Sequence, residues 1–322
     1  MTLGGRGSGL PSAWPAQVQT IAFVSSADGS EQPAAFCQSG APGEKPLLVA
    51  LHTWSYDFDQ EMSIPYAEWC IAHDWILIAP SFRGPNNRPE ATGSELAVQD
   101  VLDAVAYAEA HAPVDPGRVY LGGVSGGGHM ALLTPALASA MCAGASVAGR
   151  APERWTAVSA WVPITDLAAW HAECRAAGRP YADDLERSCG GAPGGSPAID
   201  AQYRARSPLT YLHPGLRTPL DINAGILDGH TGSVPISHTL RAFNAMAAPA
   251  DRISEVDIAY FVEQAAVPPG IRGEWSDPLY GDKRVLFRRA SGNARVTIFD
   301  GGHEIIYEAA LSWLSRQRKE SE

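Results

Sequence analysis

Cysteine is scarce in this chain, five among 322 residues. That is too few for a disulfide scaffold, and the odd count leaves at least one thiol unpaired. Cys37, Cys70 and Cys142 stand in apolar contexts and read as core thiols. Cys174 and Cys189 flank a short polar segment; they close a loop if the compartment is oxidising and stay free if it is reducing. No CxxC or HExxH spacing occurs, which argues against a structural zinc site. No GxGxxG follows the first strand-like runs, which argues against a dinucleotide cofactor, so the expectation is an activity without metal or cofactor. Basic residues are short as well: 24 Lys plus Arg against 35 Asp plus Glu give a net charge of −11. Such a chain lacks the basic surface that phosphate backbones require, so nucleic acid is not expected as a partner. No apolar run approaches the roughly 18 residues of a membrane-spanning helix. The opening Met1–Gln17 has no apolar core of the signal-peptide kind, so the expected location is cytoplasmic. A leader removed ahead of it would instead mean secretion.

What the chain has in quantity is apolar and turn-forming residues: 45% hydrophobic, with 32 Gly and 25 Pro. No repeat, low-complexity tract or linker divides it, and the expectation is one α/β domain over residues 1–322. Short apolar runs alternate with helix-period segments, as in a mostly parallel sheet flanked by helices. Ile21–Ser25 and Gln32–Gln38 read as an antiparallel pair around Asp28-Gly29. Pro46–His52, Trp75–Pro80, Val119–Gly122, Ala157–Val162, Leu220–Leu227 and Arg295–Phe299 read as further strands. Gln60–His73, Ser94–His111, Gly126–Met141 and Glu304–Arg316 read as helices. Two stretches break the alternation, Ala168–Tyr211 and Ile253–Arg289. Both are expected to be insertions forming the walls of a pocket, the first with one helix, a glycine-rich turn over Gly190–Gly195 and a polar segment, the second carrying a helix over Glu255–Ala266.

The most specific pattern is Tyr120-Leu121-Gly122-Gly123-Val124-Ser125-Gly126-Gly127-Gly128-His129, with Gly-x-Ser-x-Gly set between a strand and a helix. A serine on a turn that sharp needs glycines two residues to either side. The turn lifts the hydroxyl above the sheet and aims the Gly126 backbone N–H at the place where an oxyanion forms. A serine hydroxyl is a weak nucleophile and needs a base and an orienting acid, following in the order Ser, Asp or Glu, His. His303, beyond the strand ending at Phe299 and after two glycines, is the expected base; His73 and His111 merely end helices. Asp228, after the strand Leu220–Leu227, is the expected acid. Asp221 lies at the wrong end of that strand, and Asp166 reads equally well as a helix N-cap. The second oxyanion donor is expected from the backbone N–H of Thr53 or Trp54. Trp54, Tyr56, His129 and His230 are candidate pocket residues, and His52 is expected to hydrogen-bond within its own loop.

With Ser125, Asp228 and His303 placed, the sequence resembles the α/β-hydrolases, above all the catalytic domain of prolyl-oligopeptidase-type serine hydrolases and related bacterial esterases. The matching stretches are Gly122–His129, Val162–Trp170, Tyr203–Tyr211, Val234–Ser237 and Phe299–Glu304. The resemblance implies an acyl-enzyme on Ser125, and assigns Thr165-Asp166 a structural rather than a catalytic place. The sequence departs from that family in three ways. About 45 residues precede the hydrolase core, so no substrate-filtering propeller is expected. His52-Thr53-Trp54 stands where the family has a glycine-rich or tyrosine-containing loop, leaving main-chain donors for the oxyanion. Five residues separate Asp228 from Val234, more than the family's usual two. The expected activity is therefore cleavage of small carboxylic esters, with acetyl or aryl esters of sugars suggested by the aromatics. The alternatives are a small serine peptidase of the aminopeptidase or acyl-peptide hydrolase type, and a non-catalytic hydrolase fold that only binds. For the peptidase, Asp183-Asp184 is the adjacent carboxylate pair to hold an α-amino group, although it reads as solvated.

Overall fold

The computed structural model of the chain describes residues 10–144, 154–273 and 275–319. The side chain of Cys142 and the first nine residues lie outside the described residues. The described residues form a nine-stranded sheet in the order β1-β2-β4-β3-β5-β6-β7-β9-β8. Its strands are β1 (Gln19–Val24), β2 (Glu31–Cys37), β3 (Lys45–Leu51), β4 (Ile76–Pro80), β5 (Val114–Val124), β6 (Ala157–Trp161), β7 (Leu220–Gly225), β8 (Val285–Ser291) and β9 (Ala294–Phe299). The six inner strands β4, β3, β5, β6, β7 and β9 run parallel, and antiparallel pairs close both edges.

Strand patterning explains the layers. Along β3, Leu47, Val49 and Leu51 pack on one face of the sheet and Leu48 and Ala50 on the other, all essentially buried, as expected of a strand covered on both sides. The first face receives α2 (Glu95–His111), α3 (Gly126–Gly144), α7 (Ser237–Met246) and α8 (Glu255–Gln264). The second receives α1 (Ile64–Ala72) and α9 (Tyr307–Ser315). Local signals set several helix ends. Ser94 caps α2 by accepting from the Ala97 N–H, and Pro65 splits the expected Gln60–His73 helix into a 3₁₀ turn, Glu61–Ser63, followed by α1.

Two expectations are corrected. The stretch Ala168–Tyr211 is not one helix with a polar tail but three helices, α4 (Leu167–Ala176), α5 (Tyr181–Cys189) and α6 (Pro197–Ala205). They enclose a small separate core of Trp54, Ile164, Leu167, Trp170, Leu185 and Tyr203. The end of Ile253–Arg289 is not insertion but the edge strand β8, paired antiparallel to β9. Cys174 and Cys189 are free and buried, and burial pushes their thiols up, to about 12 and about 11. Among the described residues no helix is long and apolar enough to cross a membrane.

Candidate active site

Ser125 sits between β5 and α3 with φ +58°, the left-handed region. That conformation costs a non-glycine residue roughly 1–2 kcal/mol, so the surrounding backbone must impose it. The Ser125 N–H donates to the Trp161 carbonyl at 2.8 Å, and the Ser125 carbonyl accepts from the His129 N–H at 2.8 Å. Close approach does the rest. A Cβ on Gly123 would stand 2.3 Å from the Gly127 carbonyl, and one on Gly127 2.3 Å from the Leu51 carbonyl. Both positions must lack a side chain for β3, β5 and α3 to meet at this turn.

Asp228 and His303 follow β7 and β9, which are neighbours in the sheet. The His303 Nδ1 stands 2.8 Å from Asp228 Oδ2. The other carboxylate oxygen, Oδ1, accepts from the backbone N–H of Gly229 at 2.9 Å and of Val234 at 3.3 Å. Three donors therefore fix the carboxylate plane, and the imidazole that meets it must carry its proton on Nδ1, leaving Nε2 as the acceptor. The two loops run side by side, since the Leu227 N–H donates to the Gly301 carbonyl at 2.9 Å. Gly232 is wedged between them: a Cβ there would lie 2.1 Å from Asp228 Oδ1 and 2.5 Å from His303 Cβ. Glu304 Oε1 accepts from the Gly302 N–H at 3.0 Å and from Lys283 Nζ at 3.1 Å, bracing the histidine loop. Helix α9 starts at Tyr307 rather than at residue 304. Ser125, Asp228 and His303 all lie beyond the C-terminal ends of parallel strands, the edge where such sheets carry their sites. The hydrogen bonds of the described residues join His303 to Asp228 but not to Ser125; contacts of that kind often tighten only around substrate.

The oxyanion candidates separate. The Thr53 N–H donates to Gln60 Oε1 at 3.1 Å, and the Thr53 hydroxyl to the same oxygen at 2.9 Å. The Trp54 backbone N–H instead abuts the elbow: a Cβ on Gly126 would stand 2.6 Å from that nitrogen. His52 behaves as expected, with Nδ1 against its neighbour's carbonyl, that of Thr53, at 2.9 Å and its ring stacked on Phe82 at 3.7 Å. Burial lowers its basicity.

The pocket candidates fare less well. The Trp54 ring is 3% exposed, packed edge-on to Trp170 at 4.7 Å, and its Nε1–H donates to Asp184 Oδ2 at 3.1 Å. Tyr56 is 63% exposed, at the surface rather than in a wall. His129 is fully buried under the elbow, its Nε2 against the Arg206 carbonyl at 2.7 Å, and burial pushes its imidazole down to about 4. His230 is tied to the Val262 carbonyl at 2.7 Å. Asp166 caps α4, accepting from the N–H groups of Ala168 and Ala169. Asp221, buried at the start of β7, pairs with Arg295 at 2.7 Å. A cavity of about 270 Å³ bordered by Asp166, Tyr203, Arg204 and Thr210 lies beside α4 and α6, and Ser125 is not among its lining residues. Among the described residues no group of three or more His, Cys, Asp or Glu side chains is placed to hold a metal ion.

Sequence reasoning missed the residues that hold these loops from a distance. Besides Gln60 and Asp184, they are Trp170, whose Nε1–H donates to the Ser233 carbonyl at 2.8 Å, and Arg179, which donates to the Gly232 carbonyl at 2.5 Å. Only Gln60, seven residues beyond Thr53, was close enough in sequence to be suspected.

No protein-family model matches the sequence, and comparison with curated proteins finds no match. Solved structures do match. An acylaminoacyl peptidase from Pyrococcus horikoshii is 16% identical with a TM-score of 0.52, over 71% of this chain and 34% of its own. Prolyl oligopeptidase B from Galerina marginata is 17% identical with a TM-score of 0.54, over 71% of this chain and 31% of its own. Oligopeptidase B from Leishmania major is 10% identical with a TM-score of 0.56, over 92% of this chain and 35% of its own. The chain thus spans about a third of the length of each of these neighbours. At such identities the likeness is one of fold.

Proposed function

Taking the α/β-hydrolase fold as the premise, we propose that this chain is a serine hydrolase that cleaves carboxylic esters through an acyl-enzyme on Ser125. The observation that carries the reading is the Asp228–His303 pair at 2.8 Å, at the same sheet edge as a serine with φ +58°. His303 Nε2 takes the hydroxyl proton as Ser125 Oγ attacks the ester carbonyl carbon, and Asp228 stabilises the imidazolium without taking a proton itself. The carbonyl oxygen becomes an oxyanion received by the backbone N–H groups of Gly126 and Trp54, each such donor being worth about 10²–10³ in rate. The tetrahedral species collapses, its C–O bond breaks, and the imidazolium protonates the departing alcohol. Water, deprotonated by the same histidine, then attacks the acyl carbon and returns Ser125 and the free acid.

A peptidase is the second reading, favoured by the names of the structural neighbours. Against it, the adjacent carboxylates are already engaged, Asp183 with Arg175 at 2.7 Å and Asp184 with the Trp54 indole. The aryl and sugar-ester specificity loses support, because it rested on aromatics at the mouth and the Trp54 ring is buried. A fluorophosphonate probe is expected to label the protein and not Ser125→Ala, and p-nitrophenyl acetate to turn over faster than aminoacyl p-nitroanilides. The reverse ranking would favour the peptidase; an unlabelled wild-type protein would leave a binding-only fold.

A further inference from the structure

Trp54 is hydrogen-bonded through two of its polar groups, and the third borders the elbow. Its carbonyl accepts from the Asn86 N–H at 2.8 Å. Its indole Nε1–H donates to Asp184 Oδ2 at 3.1 Å, across 130 residues of chain. Its own N–H borders Gly126. The ring is boxed in by Trp170, at 4.7 Å. An indole has a single donor and no acceptor, so Asp184 sets the tilt of the ring, and the ring, through a short rigid side chain, sets the backbone of Trp54. Asp184 is itself steadied by the ion pair its other oxygen, Oδ1, makes with Arg187 one turn along α5, and it is only 17% exposed.

We propose that Asp184 is a positioning residue of the oxyanion hole: by holding the Trp54 indole it fixes the direction of the Trp54 backbone N–H. The inference rests on the reading of Ser125 as nucleophile and extends it. It assigns α5 a task that neither the elbow nor the Asp228–His303 pair performs. A donor that is preorganised contributes in the transition state and little in the ground state, so its loss appears in kcat and not in KM. A misplacement of about 1 Å is enough to lose on the order of 100-fold.

The test uses the full chain with p-nitrophenyl acetate, a boronic acid as tetrahedral mimic, and thermal unfolding. Asp184→Leu is expected to lower kcat about 30- to 100-fold, leave KM within about threefold, and weaken boronate binding in step with kcat. Asp184→Asn, which keeps an acceptor oxygen, should recover most of that loss. Trp54→Phe, which keeps an aromatic ring of smaller size and removes the N–H donor, should match Asp184→Leu, and the double variant should be no worse than either single one. Additive losses, a change confined to KM, or a lower melting temperature with kcat and boronate affinity intact would each overturn the proposal. If Asp184→Leu does not fold, Trp54→Phe and Asp184→Asn decide: normal boronate affinity in Trp54→Phe overturns it. Failure of the nucleophile reading is told apart by wild-type protein that the fluorophosphonate does not label.

Discussion

The Ser125 turn and the loop of Trp54 that borders it are held in place by opposite means. Around Ser125 the backbone positions itself: Gly123 and Gly127 let three elements touch main chain to main chain, and no side chain is needed. Around Trp54 the backbone is positioned by side chains brought from elsewhere, Gln60 on Thr53 and Asp184 on the indole. A structure fixed by backbone contact has no slack and fails abruptly. One fixed by side-chain ties can lose them singly and fail by degrees.

The largest expected effect therefore belongs to the turn. Gly127→Ala places a methyl carbon 2.3 Å from the Leu51 carbonyl, and neither backbone can give way. Loss of the native fold, or at least a 1,000-fold drop in fluorophosphonate labelling rate, is expected on the order of the largest single-substitution effects. Near-normal labelling in a folded Gly127→Ala protein would mean that the turn is as compliant as the loop. Next comes the acid. Asp228→Asn should lower kcat by about 10⁴ with an unchanged melting temperature, because it presents the wrong donor to His303. Asp166→Ala should do the opposite, removing about 1 kcal/mol of stability as a lost cap and leaving turnover within about twofold. Kinetics and thermal unfolding on the two variants check this, and equal turnover losses would move the acid to Asp166.

A last effect, seen only as the pH falls, tests whether the turn is wholly free of side-chain ties. His129, one turn along α3, is buried with its imidazole pushed down to about 4 from an ordinary 6.5. It is neutral in the folded chain, while the unfolded chain takes up a proton below pH 6.5. Stability is therefore complete above about pH 6.5 and falls as the pH drops toward 4, by on the order of 3 kcal/mol from this group. Denaturant unfolding between pH 4 and 7 should show that slope, and His129→Gln should flatten it. An unchanged slope would place the titration elsewhere.

The same contrast decides what could be read from sequence. The turn was legible because its requirements are local: Gly123, Ser125 and Gly127 stand within five residues, and strand and helix flank them. The meeting of Asp228 with His303 was legible from their places after strands. The split between Thr53 and Trp54 was not, because it depends on Gln60 taking one amide and leaving the other. Asp184 read as a solvated charge, since nothing in Asp183-Asp184 announces a tryptophan 130 residues away. Strand β8 escaped because Val285–Ser291 carries Arg288 and Arg289 on an edge that is only partly covered, so its alternation is weak. The three helices α4, α5 and α6 were compressed into one because a glycine-rich turn masked the start of α6, whose cap, Ser196, is local but unremarkable.

The pairing of β7 with β9 also bears on how the chain becomes competent. Leu220 to Gly225 pair in register with Ala294 to Phe299, a closure that spans more than seventy residues and can form only once both strands have been made. Such long-range pairings are slow, because the entropy of loop closure is lost before any contact compensates for it. Until β9 docks, Asp228 has no imidazole to meet, whatever the state of the Ser125 turn. The proposed chemistry would thus switch on with the docking of β9 against β7, and the histidine would act as the signature of that pairing.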